Sequence, residues 1–180
     1  MTIMKKSADE GLSLIELIIV IVILGILGLV MGTIFGNTWR AQEAVRLQTQ
    51  ATSRGQLVAS EIERAMRNAI AFDVSADGST LRVNSSFTGG HQCQAFSLAS
   101  DGAHMTVTSA PAAPSGWPTW QSDIAPISGS PFFSSNGGTV TYAFDSVSRA
   151  TDGSIAAAPV RFTGKVFMRN TGVGTLSPCW

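Results

Sequence analysis

Residues 11–36 read GLSLIELIIVIVILGILGLVMGTIFG. The run over residues 12–35 is 24 residues long and carries a single charge, Glu16. As an α-helix rising about 1.5 Å per residue it extends roughly 36 Å, enough to cross a hydrocarbon core of about 30 Å. The stretch therefore reads as a membrane-spanning helix, with everything after it carried on one side. Glu16 is the anomaly. A carboxylate near the end of a membrane helix costs about 2–3 kcal/mol on insertion scales, so it must snorkel to the headgroups or find a partner.

The letters around Glu16 bear on that choice. Gly11-Leu12-Ser13-Leu14-Ile15-Glu16-Leu17, at the head of a long apolar helix, resembles the processing site of type IV prepilins and of the pseudopilins of type II secretion. The resemblance implies that a membrane prepilin peptidase and methyltransferase cuts after Gly11 and methylates the new amine of Leu12. Glu16 then becomes the fifth residue of the mature chain. Its carboxylate is expected to pair with the Leu12 ammonium of a neighbouring subunit, so that two charges satisfy each other inside an apolar bundle. Two departures from the family pattern are visible. Leu12 stands where phenylalanine is more usual, and Ser7-Ala8-Asp9-Glu10 separates the basic pair Lys5-Lys6 from the glycine.

The division this implies is a leader at 1–11, a transmembrane and filament-core half-helix at 12–36, an amphipathic half-helix at 37–70 and a β-rich head at 71–180. The implied partners are the processing enzyme, other pilin or pseudopilin subunits, a pilus assembly platform and the membrane. An ordinary secretory signal has an apolar region of about 7–15 residues, shorter than the run here. A plain signal anchor is the simpler alternative. The resemblance also places the N-terminus in the cytoplasm and the head outside it.

Composition narrows the function classes. Twelve basic and twelve acidic side chains give a formal charge of zero, and charged residues make up only 13% of the chain. There is no basic excess to suggest nucleic acid as a partner and no acidic run to suggest metal buffering. Cys93 and Cys179 lie too far apart for a local metal knuckle. On the outer face of a membrane they most simply form one disulfide. It would close a loop worth roughly 4–5 kcal/mol in the chain-entropy model. A disulfide-bounded C-terminal region is similar to that of pilins.

Within the apolar run, Gly28, Gly32 and Gly36 fall four apart on one ridge, a spacing that lets another helix backbone approach closely. Beyond it the composition stays helical, and Val58, Ile62, Ala65, Met66, Ala69 and Ile70 recur at offsets of three and four. One helix is expected over residues 13–69, with Ser53-Arg54-Gly55 as a break or soft point. The rest reads as strands joined by turns at Ala76-Asp77-Gly78, Ser100-Asp101-Gly102 and Asp152-Gly153. Strands are expected at 72–75, 79–83, 94–98, 104–108, 139–144 and 160–168, with an irregular proline-rich loop over 110–138. The expected fold class is α+β and pilin-like, a long helix laid on a small antiparallel sheet.

Candidate chemistry is sparse. Asp73, Ser75, Asp77 and Gly78 form the opening half of a calcium loop, but its twelfth position is Asn84 rather than a bidentate Glu, so a hairpin turn is the stronger reading. His91 and Cys93 alternate as ligands might, without a third or fourth ligand nearby, and His104 stands in a strand pattern. No nucleophile elbow and no phosphate-binding glycine loop occurs. No cofactor and no enzyme activity are expected. The loop with Trp117, Trp120, Phe132 and Phe133 reads as packing or, alternatively, as a binding surface. The expected function is a structural subunit, a minor pilin or pseudopilin. The alternative is a membrane-anchored extracytoplasmic binding domain with an uncut N-terminus.

Overall fold

A single helix, α1 (Leu14–Asn68), runs through 55 residues of the computed structural model. The structure describes residues 13–87, 90–99, 102–108, 117–149, 153–177 and 179. The chain divides into two compact units, one ending at Glu43 and the other spanning Ala44–Trp180. In the first unit every described residue is exposed. Its apolar side chains face outward all round, the pattern of a segment made for lipid or for other helices. The Ser13 carbonyl accepts from the Glu16 and Leu17 amides at 2.9 and 3.1 Å, so Ser13 caps the helix. Ser13-x-x-Glu16 has the spacing of a capping box, and it puts the carboxylate in the first turn, where the helix dipole favours it. The Thr33 and Thr38 hydroxyls donate back to the Val30 and Ile34 carbonyls, which hides their polarity within the helix.

In the second unit α1 is amphipathic and buries Ala51, Gly55, Val58, Ile62, Ala65 and Met66. The Ser53-Arg54-Gly55 segment does not break it. Gly55 is there for close approach, since a Cβ at that position would overlap the Phe162 ring. The helix ends at Asn68, and Ala69 and Ile70, expected on its apolar stripe, instead open the first strand. The stripe passes from helix to strand without interruption, so periodicity alone did not mark the boundary.

The strands are β1 (Ala69–Val74), β2 (Thr80–Phe87), β3 (Gly90–Ala99), β4 (Gly102–Thr108), β5 (Thr119–Ser122), β6 (Ile124–Ala125), β7 (Phe133–Asn136), β8 (Thr139–Arg149) and β9 (Ile155–Phe167). They form two antiparallel sheets. The first is a five-stranded meander in the order β1-β2-β3-β4-β5. In the second, β8 pairs with β6 and β7 along one edge and with β9 along the other. The fold class is therefore α+β and pilin-like, with the antiparallel strands shared between two sheets. The stretch expected to be irregular over 110–138 holds β5, β6 and β7. Those strands have only 4, 2 and 4 residues, too short to carry a period of their own.

Val58, Ile62 and Met66 of α1 share one core with Leu81, Val83, Phe96, Leu98, Phe133, Val140 and Phe144. The Phe144 and Phe162 rings stack with centroids 5.4 Å apart. Gln94, buried on β3, donates to Glu61 of α1 at 2.9 Å. Burial raises the Glu61 pKa, but hydrogen bonds from Arg64 and Gln94 outweigh it, and the net shift is downward.

Candidate functional site

Gly11 and Leu12, expected to flank the processing point, lie outside the described residues. Glu16 stands in the first turn of α1 behind its Ser13 cap. Gly25, Gly28, Gly32 and Gly36 follow on the helix, and a Cβ placed on any of them would meet nothing within 4 Å. Around them Leu14, Leu29 and Phe35 are 77%, 75% and 69% exposed. The helix thus offers small residues and bulky apolar ones on an open surface, the composition that lets helices pack together in lipid. At the end of the apolar run the Phe35 and Trp39 rings lie 6.2 Å apart, followed by Arg40. A Trp followed by a cation at the end of an apolar run has the composition of a membrane-interface anchor. The i, i+4 spacing of Phe35 and Trp39 in the sequence is the signal that would have found it.

In the head, Cys93 and Cys179 form a disulfide with Cα atoms 5.3 Å apart. It ties the C-terminal tail to β3. Beside it, buried Asn84 donates to the Thr175 carbonyl at 2.8 Å and meets His91 Nδ1 at 3.2 Å through Oδ1. The pair considered as metal ligands is thus divided between a disulfide and an amide contact. His104 Nδ1 lies 3.1 Å from the Trp117 carbonyl.

The Asp73–Gly78 segment is a hairpin turn. Asp77 accepts from the hydroxyls of Ser75 and Ser79 and from the Ser79 amide. These bonds, that from Ser75 foremost, bring its pKa down to about 2. Gly78 has φ +69°, and a Cβ there would sit 2.6 Å from the Phe133 carbonyl oxygen. Among the described residues no group of three or more His, Cys, Asp or Glu side chains is arranged to hold a metal ion. Of the aromatic loop, Phe132 and Phe133 are buried in the core and Trp120 packs against it.

Asp123 was not singled out by its sequence. It has φ 61° between β5 and β6, where the chain passes from one sheet to the other. Aspartate tolerates that region better than most residues. Its carboxylate meets Arg54 of α1 at 2.9 Å and Arg149 at 3.2 Å, and its carbonyl accepts from the Val147 amide at 2.9 Å.

The family described as the prokaryotic N-terminal methylation motif matches residues 6–32, which takes in Gly11, Leu12, Glu16 and most of the apolar run. No curated protein and no solved structure matches the chain. Proteins with this motif are structural rather than enzymatic, and the apolar helix behind it fits a membrane-anchored pilin. The motif, heading an apolar helix with an antiparallel β head behind it, supports a protein of the type IV prepilin and pseudopilin type.

Proposed function

We propose that the chain is a structural subunit, a minor pilin or pseudopilin, of a type IV pilus-like filament. The observation that carries this reading is the methylation motif over residues 6–32, continuous with a helix whose apolar side chains over residues 14–35 are exposed on all sides. In this reading the peptidase removes residues 1–11 and methylates the amine of Leu12. Residues 12–36 then leave the bilayer for the filament core, 37–70 carry the amphipathic half-helix, and 71–180 form the outward head. Glu16 sets register against the Leu12 ammonium of a neighbour, a pairing whose attraction offsets part of the desolvation cost of both charges. Gly28, Gly32 and Gly36 admit the neighbouring helices. The N-terminus is cytoplasmic before processing and the head extracytoplasmic.

The deciding measurement is the mass of the N-terminal peptide from membrane-extracted protein. A peptide beginning at Leu12 with one added methyl group supports the reading. A peptide beginning at Met1 or Thr2 overturns it in favour of a membrane-anchored binding domain.

A further inference from the structure

Strand β9 is the longest strand of the head, at 13 residues, and among the described residues it pairs with β8 alone. Its other edge therefore keeps a row of backbone N–H and C=O groups with no strand partner. The two halves of that edge differ. The first half contains Pro159 and lies opposite the register shifts around Ser148, features that blunt an edge. From 160 to 167 the pairing with β8 is unbroken, from Ser146↔Val160 to Thr139↔Phe167, and no proline intervenes.

A groove of about 320 Å³ accompanies this second half, lined by Glu63 and Arg67 of α1 and by Lys165, Val166, Phe167 and Arg169. Successive strand residues point to opposite faces. A groove that touches 165, 166 and 167 together therefore runs along the strand's edge rather than over one face. Its charge is net positive, three cations against the Glu63 carboxylate. Glu63 accepts from the Tyr142 hydroxyl at 2.7 Å, and its other oxygen lies 3.5 Å from Arg67. Among the described residues neither Lys165 nor Arg169 makes an ion pair. Phe167, 57% exposed, adds apolar surface beside them.

We propose that the edge of β9 over residues 160–167 is a docking site for an extended, acidic segment of another polypeptide chain. The segment adds as a further strand, and its backbone takes up the open groups of β9. Its side chains alternate between the two faces of the extended sheet. Carboxylates on one face meet Lys165, and those on the other meet Arg67 at the helix bank. Arg169 closes the end of the groove.

The test uses the full chain in detergent micelles and a fluorescent octapeptide of alternating glutamate and valine. Controls are the lysine–valine counterpart and two acidic peptides N-methylated on alternate amides, one for each edge. Lys165→Glu/Arg169→Glu and Arg67→Glu variants are first shown by thermal melting to be folded. The acidic peptide is expected to bind, and the lysine peptide and both charge-reversed variants to bind at least about tenfold more weakly. One methylated peptide should lose binding by a similar factor and the other keep it. Binding should also weaken at about 0.5 M salt, where screening shortens charge interactions to a few ångströms. Equal binding by the two methylated peptides overturns strand addition. Equal binding by the lysine peptide, or full displacement by a DNA oligonucleotide, overturns the assignment to an acidic polypeptide.

Discussion

Asp77 holds the first hairpin with three hydrogen bonds that only its ionised form accepts in full. Its pKa is lowered to about 2 in the folded chain, against about 3.9 in an unfolded one. A depressed carboxylate stabilises the fold above the unfolded pKa, and that contribution disappears as pH falls through the folded value. Asp77→Asn should therefore lower the melting temperature at pH 7, with the difference from wild type closing between about pH 4 and pH 2. Melts that differ equally at both ends of that range would contradict this role. Glycine behaves in opposite ways at two positions on α1. An interior helix Gly→Ala change usually stabilises by up to about 1 kcal/mol. At Gly28 nothing obstructs the added methyl, whereas at Gly55 it overlaps Phe162. Gly55→Ala is expected to destabilise the head by about 1–3 kcal/mol in urea unfolding, while Gly28→Ala leaves that transition where it was.

The C-terminal tail is an element without regular structure of its own. It is held by the Cys93–Cys179 disulfide and by the Asn84 bond to Thr175. The bridge joins residues 86 apart in sequence, and closing so long a loop is worth about 4 kcal/mol or more in the chain-entropy model. The paired change Cys93→Ser/Cys179→Ser should reduce head stability by about that amount and speed amide exchange in residues 168–177. Unchanged exchange there would mean that Asn84 alone secures the tail. The N-terminal half of α1 makes the contrasting case. On the proposed filament reading, Gly32→Leu should leave head unfolding unaffected and reduce co-purification with other subunits from cross-linked membranes, because it fills the surface which that reading assigns to neighbouring helices. Normal cross-linking by this variant would remove the glycine ridge from the assembly reading.

The two compact units lead to a prediction about the whole molecule. Val58, Ile62 and Met66, which complete the core against both sheets, all belong to the unit spanning Ala44–Trp180. A fragment of residues 44–180 therefore keeps every buried partner in the core and should unfold in one cooperative, soluble transition. Loss of near-ultraviolet circular dichroism in that fragment would show that residues before 44 contribute to the core. Ile62→Ala, fully buried on the shared helix face, should cost the same fragment about 2–5 kcal/mol.

The apolar run, the motif at its head, the long amphipathic helix and the α+β class were legible in the sequence because they rest on local patterns. A stretch of 24 residues with one charge has few ways to meet water, and a 3.6-residue stripe shows the buried face of a helix directly. The turn at Asp77 was legible for the same reason. The tertiary structure decided what depends on partners distant in the chain. It placed Gly55 under the Phe162 ring instead of in a helix break, and it drew short strands out of a stretch without periodicity by pairing them with β4 and β8. It set Asp123 between Arg54 and Arg149, and among the described residues it left one edge of β9 without a strand partner beside Arg67, Lys165 and Arg169. Contacts between residues tens of positions apart leave no local period in a sequence, because each satisfies a group that only the folded chain brings near.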